Sequence, residues 1–279
     1  TTVFTLAITT ASFADIYQIS DCDENGTLLL TELNAEPEVD LSGLYLGCAD
    51  LYNANLYNAN LEDVDLNHAN MSFAILIGAD LKLAELNYAW LEGANLESAS
   101  LEGAELGGTN LIDTNLKHVS SGGIFGIPSS LPTDWILERG YLIGHSAYLQ
   151  DANLNNADLE DADLTNTDLT GAQLWSVNLT NANLTTANLK NANLTNANLS
   201  GADLTSANLT GVISGGITQN PSSLPASWFL ISGYLIGPGA NLSDAYLYEA
   251  NLPYMNLVDA NLTNANLSGA DLTGAYLTN

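Results

Sequence analysis

Cations are almost missing from this chain: 4 Lys and Arg stand against 32 Asp and Glu, a formal net charge of −28 over 279 residues. Nucleic acid and anionic membrane surfaces both call for a basic face, so neither is an expected partner. A cationic partner, divalent ions or simple solubility fit the charge better. The acids are also unevenly spread, with 19 in residues 1–120 and four in residues 211–279. Long apolar runs are absent too. The best candidate, Val3–Ala14, is too short to span a bilayer. It resembles the tail of a secretory signal, with Ser12 and Ala14 placed like a cleavage site, although no basic segment precedes it. The expected location is therefore extracellular, periplasmic or at the cell surface. Histidine is scarce: His68, His118 and His145 lie far apart, with no Cys/His cluster, phosphate loop or nucleophile–base spacing around them. No catalysis is expected. The two cysteines, Cys22 and Cys48, are either unrelated thiols or a disulfide closing the N-terminal segment onto the rest of the chain.

What the chain has in abundance is a period of five. From Leu41 a large apolar residue recurs at every fifth position to Leu116, with Met71 in one place; the series resumes from Leu149 to Leu209 and from Leu242 to Leu277. These are sixteen, thirteen and eight repeats. Two residues before each sits a small residue in most repeats, mostly Ala, replaced by Val64, Thr109 or Thr114 in places, and within Val177–Thr210 the residue between them is nearly always Asn or Asp. Five fits neither the helical nor the strand period, and a strict short repeat marks a solenoid.

This pattern resembles the A(D/N)LXX motif of the pentapeptide-repeat family, and the resemblance covers Leu41–Asn279 apart from two interruptions. It implies an all-β fold, a right-handed quadrilateral β-helix with four repeats per coil and Leu and Ala inward. Thirty-seven repeats would make about nine coils, roughly 45 Å at the inter-strand spacing. Residues twenty apart should stack, so Asn153, Gln173 and Asn193 form one ladder and Asp163, Asn183 and Asp203 another. Stacked amides can hydrogen-bond along a ladder, whereas stacked carboxylates repel.

The expected organisation is a non-repeat cap segment, 1–40, followed by the β-helix, 41–279, with insertions at 119–147 and 212–240. The two interruptions match each other at an offset of 93 residues, and Trp135–Ile143 and Trp228–Ile236 each alternate as a β-hairpin, turning near Gly140 in the first. Residues 21–32, DCDENGTLLLTE, fit the calcium-loop pattern D-x-[DN]-x-[DN]-G-x5-E. Asp21, Asp23 and Asn25 take oxygen-ligand positions, Thr27 offers its carbonyl and Glu32 the bidentate carboxylate. The loop resembles an EF-hand or dockerin loop, and Phe13, Ile16, Tyr17 and Ile19 could form its entering helix. Calcium is the one expected cofactor.

The last residues, LSGADLTGAYLTN, are ordinary repeat, and an open coil is a template for another chain. The expected function is a secreted structural or assembly protein, a rigid acidic rod that self-associates as a dimer or head-to-tail polymer, with a calcium-stabilised N-terminal segment. The alternative is an interaction module resembling the family's acidic DNA mimics. A third hypothesis, sugar binding or catalysis beside the interruptions, rests on Trp135 and Trp228 alone. Asn-Leu-Thr sequons are forced by the repeat and carry no information. The Thr165, Thr185, Thr205 ladder is not read as an ice-binding face, because Lys190 interrupts the neighbouring one.

Overall fold

The computed structural model describes residues 15–18 and 29–278. The repeat at Ala182–Thr186 shows how the coil is made. Its chain turns at Leu184–Ala187, where the Ala187 N–H donates to the Leu184 carbonyl at 3.0 Å. The third residue of that turn, Thr186, has φ 60°, the left-handed conformation that a type II turn requires. Repeating this corner every five residues bends the chain back over itself, and parallel bridges then join residues twenty apart, such as Asp163 to Asn183 and Asn183 to Asp203. Four corners per twenty-residue coil make the quadrilateral.

All five N–H groups of that repeat are used. Ala182 closes the preceding turn onto Leu179, Asn183 donates back to Ala162, and Leu184 and Thr186 donate forward to Asp203 and Thr205. The fifth, on Thr185, donates to the Asn183 side-chain oxygen at 3.1 Å. This explains the frequent Asn or Asp: here its side chain accepts the turn N–H that no backbone carbonyl takes, and at other corners an Asn one coil away does so, as Asn67 accepts from the Asn87 N–H. A Thr after the Leu adds a second bond to the same oxygen, as Thr185 does at 2.6 Å.

Inside, the repeated Leu and Ala side chains are almost wholly excluded from solvent, giving a dry core with one Leu layer per corner. Thr at the small position is tolerated because its hydroxyl finds a carbonyl: Thr109 donates to Leu86, Thr114 to Leu91 and Thr167 to Gly144.

The chain forms two compact units, Thr1–Leu116 with Ile124–Pro132, and Lys117–Gly123 with Thr133–Asn279. In the first, β1 (Asp15–Gln18) lies antiparallel to both β2 (Leu29–Asn34) and β3 (Ala49–Asp50) of the first coil. Ile16 and Tyr17 thus lie in a strand, not the expected entering helix. A β-branched and an aromatic residue suit a sheet, and the open edge of the first coil supplies the partner. Cys48, beside β3, is disulfide-bonded, and the sequence offers Cys22 as its partner within the chain.

The interruptions are only partly insertions. In the first unit Phe125 bridges Glu105 and Ser130 bridges Asn110, each at the regular twenty-residue offset. In the second, Ser223 likewise bridges Asp203. The coils that close around them, Ser120 to Tyr148 and Ile213 to Asn241, span 28 residues in place of 20, so each carries only eight extra. The excess leaves as the expected hairpins: β4 (Ile136–Glu138) with β5 (Tyr141–Ile143), and β6 (Phe229–Ile231) with β7 (Tyr234–Ile236). Both turn residues have positive φ, Arg139 53° and Gly140 79° in the first, as a two-residue type I′ turn requires. Buried serines tether them, Ser121 accepting from the Leu142 N–H at 3.0 Å and Ser214 from Leu235 at 2.9 Å.

Two substitutions in one repeat separate its parts. Leu184→Ala should lower the unfolding free energy by about 2–5 kcal/mol through the cavity it leaves. Asn183→Ala, which leaves the Thr185 N–H to solvent, should cost about 0.5–1.5 kcal/mol. Urea denaturation followed by circular dichroism gives both.

Candidate interaction site

Positions just before and just after each Leu face outward, and their identity is not prescribed by the core. In the second unit the expected ladders stack as bridges, but the hydrogen-bonded amide ladders run elsewhere. Asn178 donates to Asp158 at 2.8 Å and Asn198 to Asn178 at 3.2 Å; Asn188 and Asn208 repeat this over Asp168. Along Asp163 and Asn183 the side-chain oxygen accepts from Thr165 and Thr185 of the same repeat.

In the first unit one column is acidic: Asp65, Glu85 and Glu105 stack at the twenty-residue offset. Repulsion between them is relieved by interleaved amides, Asn67 donating to Glu85 at 2.7 Å and Asn87 to Glu105 at 2.8 Å.

The adjoining face is aromatic. Trp90 stands in the column Asp50, Asn70, Trp90, Asn110. Tyr52 and Ile112 come two residues after members of that column, and Phe73 comes three after. All four side chains are about half exposed, Trp90 at 54%. Tyr52 meets Phe73 edge-on at 5.8 Å, and at the corner before Trp90 the ring of Tyr88 stacks on His68 at 5.0 Å. Phe73 and Tyr88 occupy the left-handed turn position, with φ 61° and 59°. That conformation costs a bulky residue about 1–2 kcal/mol relative to Gly or Asn. Room for the rings comes from the next coil: Gly93 lies under Phe73 and Gly108 under Tyr88, and a Cβ on either glycine would come within 2.6 Å of the ring.

The residues singled out from sequence fare differently. Trp135 and Trp228 are buried, at 6% and 7% exposure, each packed against a glycine, Gly144 and Gly237. They fasten the hairpins and present no face to a sugar. His118 stacks on Tyr148 and His145 meets Trp135 edge-on, so the histidines remain dispersed. Asp21, Asp23, Asn25 and Thr27 lie outside the described residues, and Glu32 falls in β2. Among the described residues no group of three His, Cys, Asp or Glu could hold a metal, and no helix is long and apolar enough to cross a membrane.

The family model for pentapeptide repeats matches residues 45–82, 79–117, 145–178, 176–211 and 240–279. The chain belongs to the pentapeptide-repeat family. As a pentapeptide-repeat protein its coil is a right-handed quadrilateral β-helix, a fold of structural and interaction modules. Three solved structures are similar to it. HetL, a pentapeptide repeat protein involved in heterocyst differentiation regulation from the cyanobacterium Nostoc sp. strain PCC 7120, shares 29% identity over 86% of this chain and 90% of its own, with a TM-score of 0.28. QnrB1, a plasmid-mediated fluoroquinolone resistance protein, shares 16% identity over 88% and 92%, with a TM-score of 0.29. A pentapeptide repeat protein of the Arabidopsis thaliana thylakoid lumen shares 24% over 56% and 68%, with a TM-score of 0.21. No curated protein matches the chain. The aromatic face is not apparent in the sequence at the five-residue period; writing the chain twenty residues to a row brings its members together.

Two measurements check these contacts. Burial raises the Asp168 carboxyl, but bonds from the Thr170 hydroxyl, Gln150, the Thr170 N–H and Asn188 outweigh it and hold the group below its ordinary value. A lowered folded value stabilises the fold above the unfolded value of about 3.9 and loses that contribution as pH falls through the folded one. Wild type should therefore lose melting temperature in acid faster than Asp168→Asn, and an NMR titration should place Asp168 below the unfolded value. Separately, Gly108→Ala should cost about 1–3 kcal/mol by denaturation, and adding Tyr88→Asn should recover the part due to the ring.

Proposed function

We propose that this pentapeptide-repeat protein is a non-catalytic interaction scaffold that associates with copies of itself through its C-terminal coil. The observation that carries this is the state of that coil. Leu262, Leu267 and Leu272 are half-buried, where the equivalent leucines of the coils before them are almost wholly buried. No described residue accepts from their N–H groups, although Leu242 and Leu247 donate to Asn261 and Asn266. A shallow hollow lined by Leu257, Ala260, Leu262 and Leu277 opens on the same coil. Donors directed onward and an open Leu layer suit a further stacked coil, which the proposal assigns to another subunit in a head-to-tail contact.

The proposal extends to compartment and metal. A disulfide at Cys48 supports a location outside a reducing cytosol, extracellular, periplasmic or at the cell surface. The match of Asp21–Glu32 to a calcium loop supports an N-terminal segment stabilised by calcium.

Electron microscopy and sedimentation of the purified chain should show end-to-end particles, and Leu267→Asp should reduce them to monomers with little change in melting temperature. Chelation or Glu32→Gln should weaken only the calcium-dependent part. Monodisperse monomers of wild type under every condition would sink the self-association.

A further inference from the structure

We propose that the aromatic face of the first unit is a docking surface for a protein segment in which arginine or lysine alternates with apolar side chains. This goes beyond self-association through the C-terminal coil. Tyr52, Phe73, Trp90 and Ile112 form its apolar part, with Tyr88 at the corner. None belongs to the repeat's inward set, so packing does not require them, and Phe73 and Tyr88 sit where the backbone disfavours bulky residues.

Charge selects the occupant. Asp50, Glu92 and Asp113 stand exposed on the same face, and the acidic column Asp65, Glu85, Glu105 borders it. The one Lys or Arg in the first unit, Lys82, pairs with Asp80 in a different column, at 3.6 Å. Guanidinium or ammonium groups laid on the Trp90 ring, with Tyr88 held beside it between His68 and Gly108, would meet both the ring face and these carboxylates. A second copy of the same face would bring only matching negative charge, which opposes it. Strand addition is also closed off, because the face's backbone is committed: Tyr88 N–H donates to Gly107, Trp90 to Ala69 and Phe73 to Glu92. Recognition therefore falls to side chains.

The test uses the whole protein and a labelled peptide of about twelve residues alternating arginine and leucine, with glutamine–leucine as its neutral counterpart. Fluorescence anisotropy should give a Kd on the order of 10⁻⁵ M for the arginine peptide, weakening at higher salt. Trp90→Ala and Tyr88→Ala should each weaken it about tenfold, and so should the neutral peptide. Glu92→Gln, which leaves the rings in place, should weaken it about threefold. Trp175→Ala, exposed in the second unit, should change nothing. No binding by wild type up to about 1 mM peptide, equal binding by the Trp90 and Tyr88 variants, or equal binding of both peptides would each overturn the proposal. So would a chito-oligosaccharide that shields Trp90 while the arginine peptide does not bind, since that would make the face a sugar platform.

Discussion

The Asn183 side-chain oxygen that accepts the Thr185 N–H, and its equivalents at other corners, set the terms for the rest of this molecule. Turns made every five residues would each leave one backbone donor pointing nowhere, at a cost of about 1–3 kcal/mol apiece if buried. With that donor satisfied locally, the remaining N–H groups fall into register with the coils before and after. The Leu core is then the consequence of stacking as much as its cause. Each coil closes its neighbour, as in other quasi-one-dimensional folds.

Because backbone and Leu–Ala core account for stability, the outward positions are released from it. The two units use this freedom differently. In the second, Asn and Thr fill the columns with hydrogen bonds that run along the stack. The first instead carries carboxylates in one column and aromatic rings on the next face. An acidic surrogate for nucleic acid would be expected to show charge on the surface it presents; here half-exposed rings of Tyr52, Phe73 and Trp90 occupy the face beside the acidic column.

The fold was legible because its signal is a strict repeat, and the hairpins because alternation and Gly140 mark them. The extent of the interruptions was not. The run of leucines breaks after Leu116, yet Phe125 and Ser130 keep the spatial offset of twenty; Gly126 stands where a Leu would, Leu131 alone returns to the phase, and the largely sheltered Ile124 fills the small position. The strand at Ile16 and Tyr17 depends on the edge of Ala49–Asp50, a partner far along the chain that no local pattern reveals. The aromatic face is invisible at a period of five and emerges only at twenty. Trp135 and Trp228 stand out in the sequence as large aromatics, but their exposure is decided by Gly144 and Gly237, which let the rings lie flat against the backbone.

The full commitment of the backbone also bears on how long such a molecule survives among proteases. A protease holds its substrate as an extended strand by pairing with main-chain donors and acceptors. Along the stacked coils those groups are already bonded above and below, so a cut requires a coil to peel away first. Digestion should then begin at the hairpin tips around Arg139 and Ser232, where the chain leaves the stack, and erode it coil by coil.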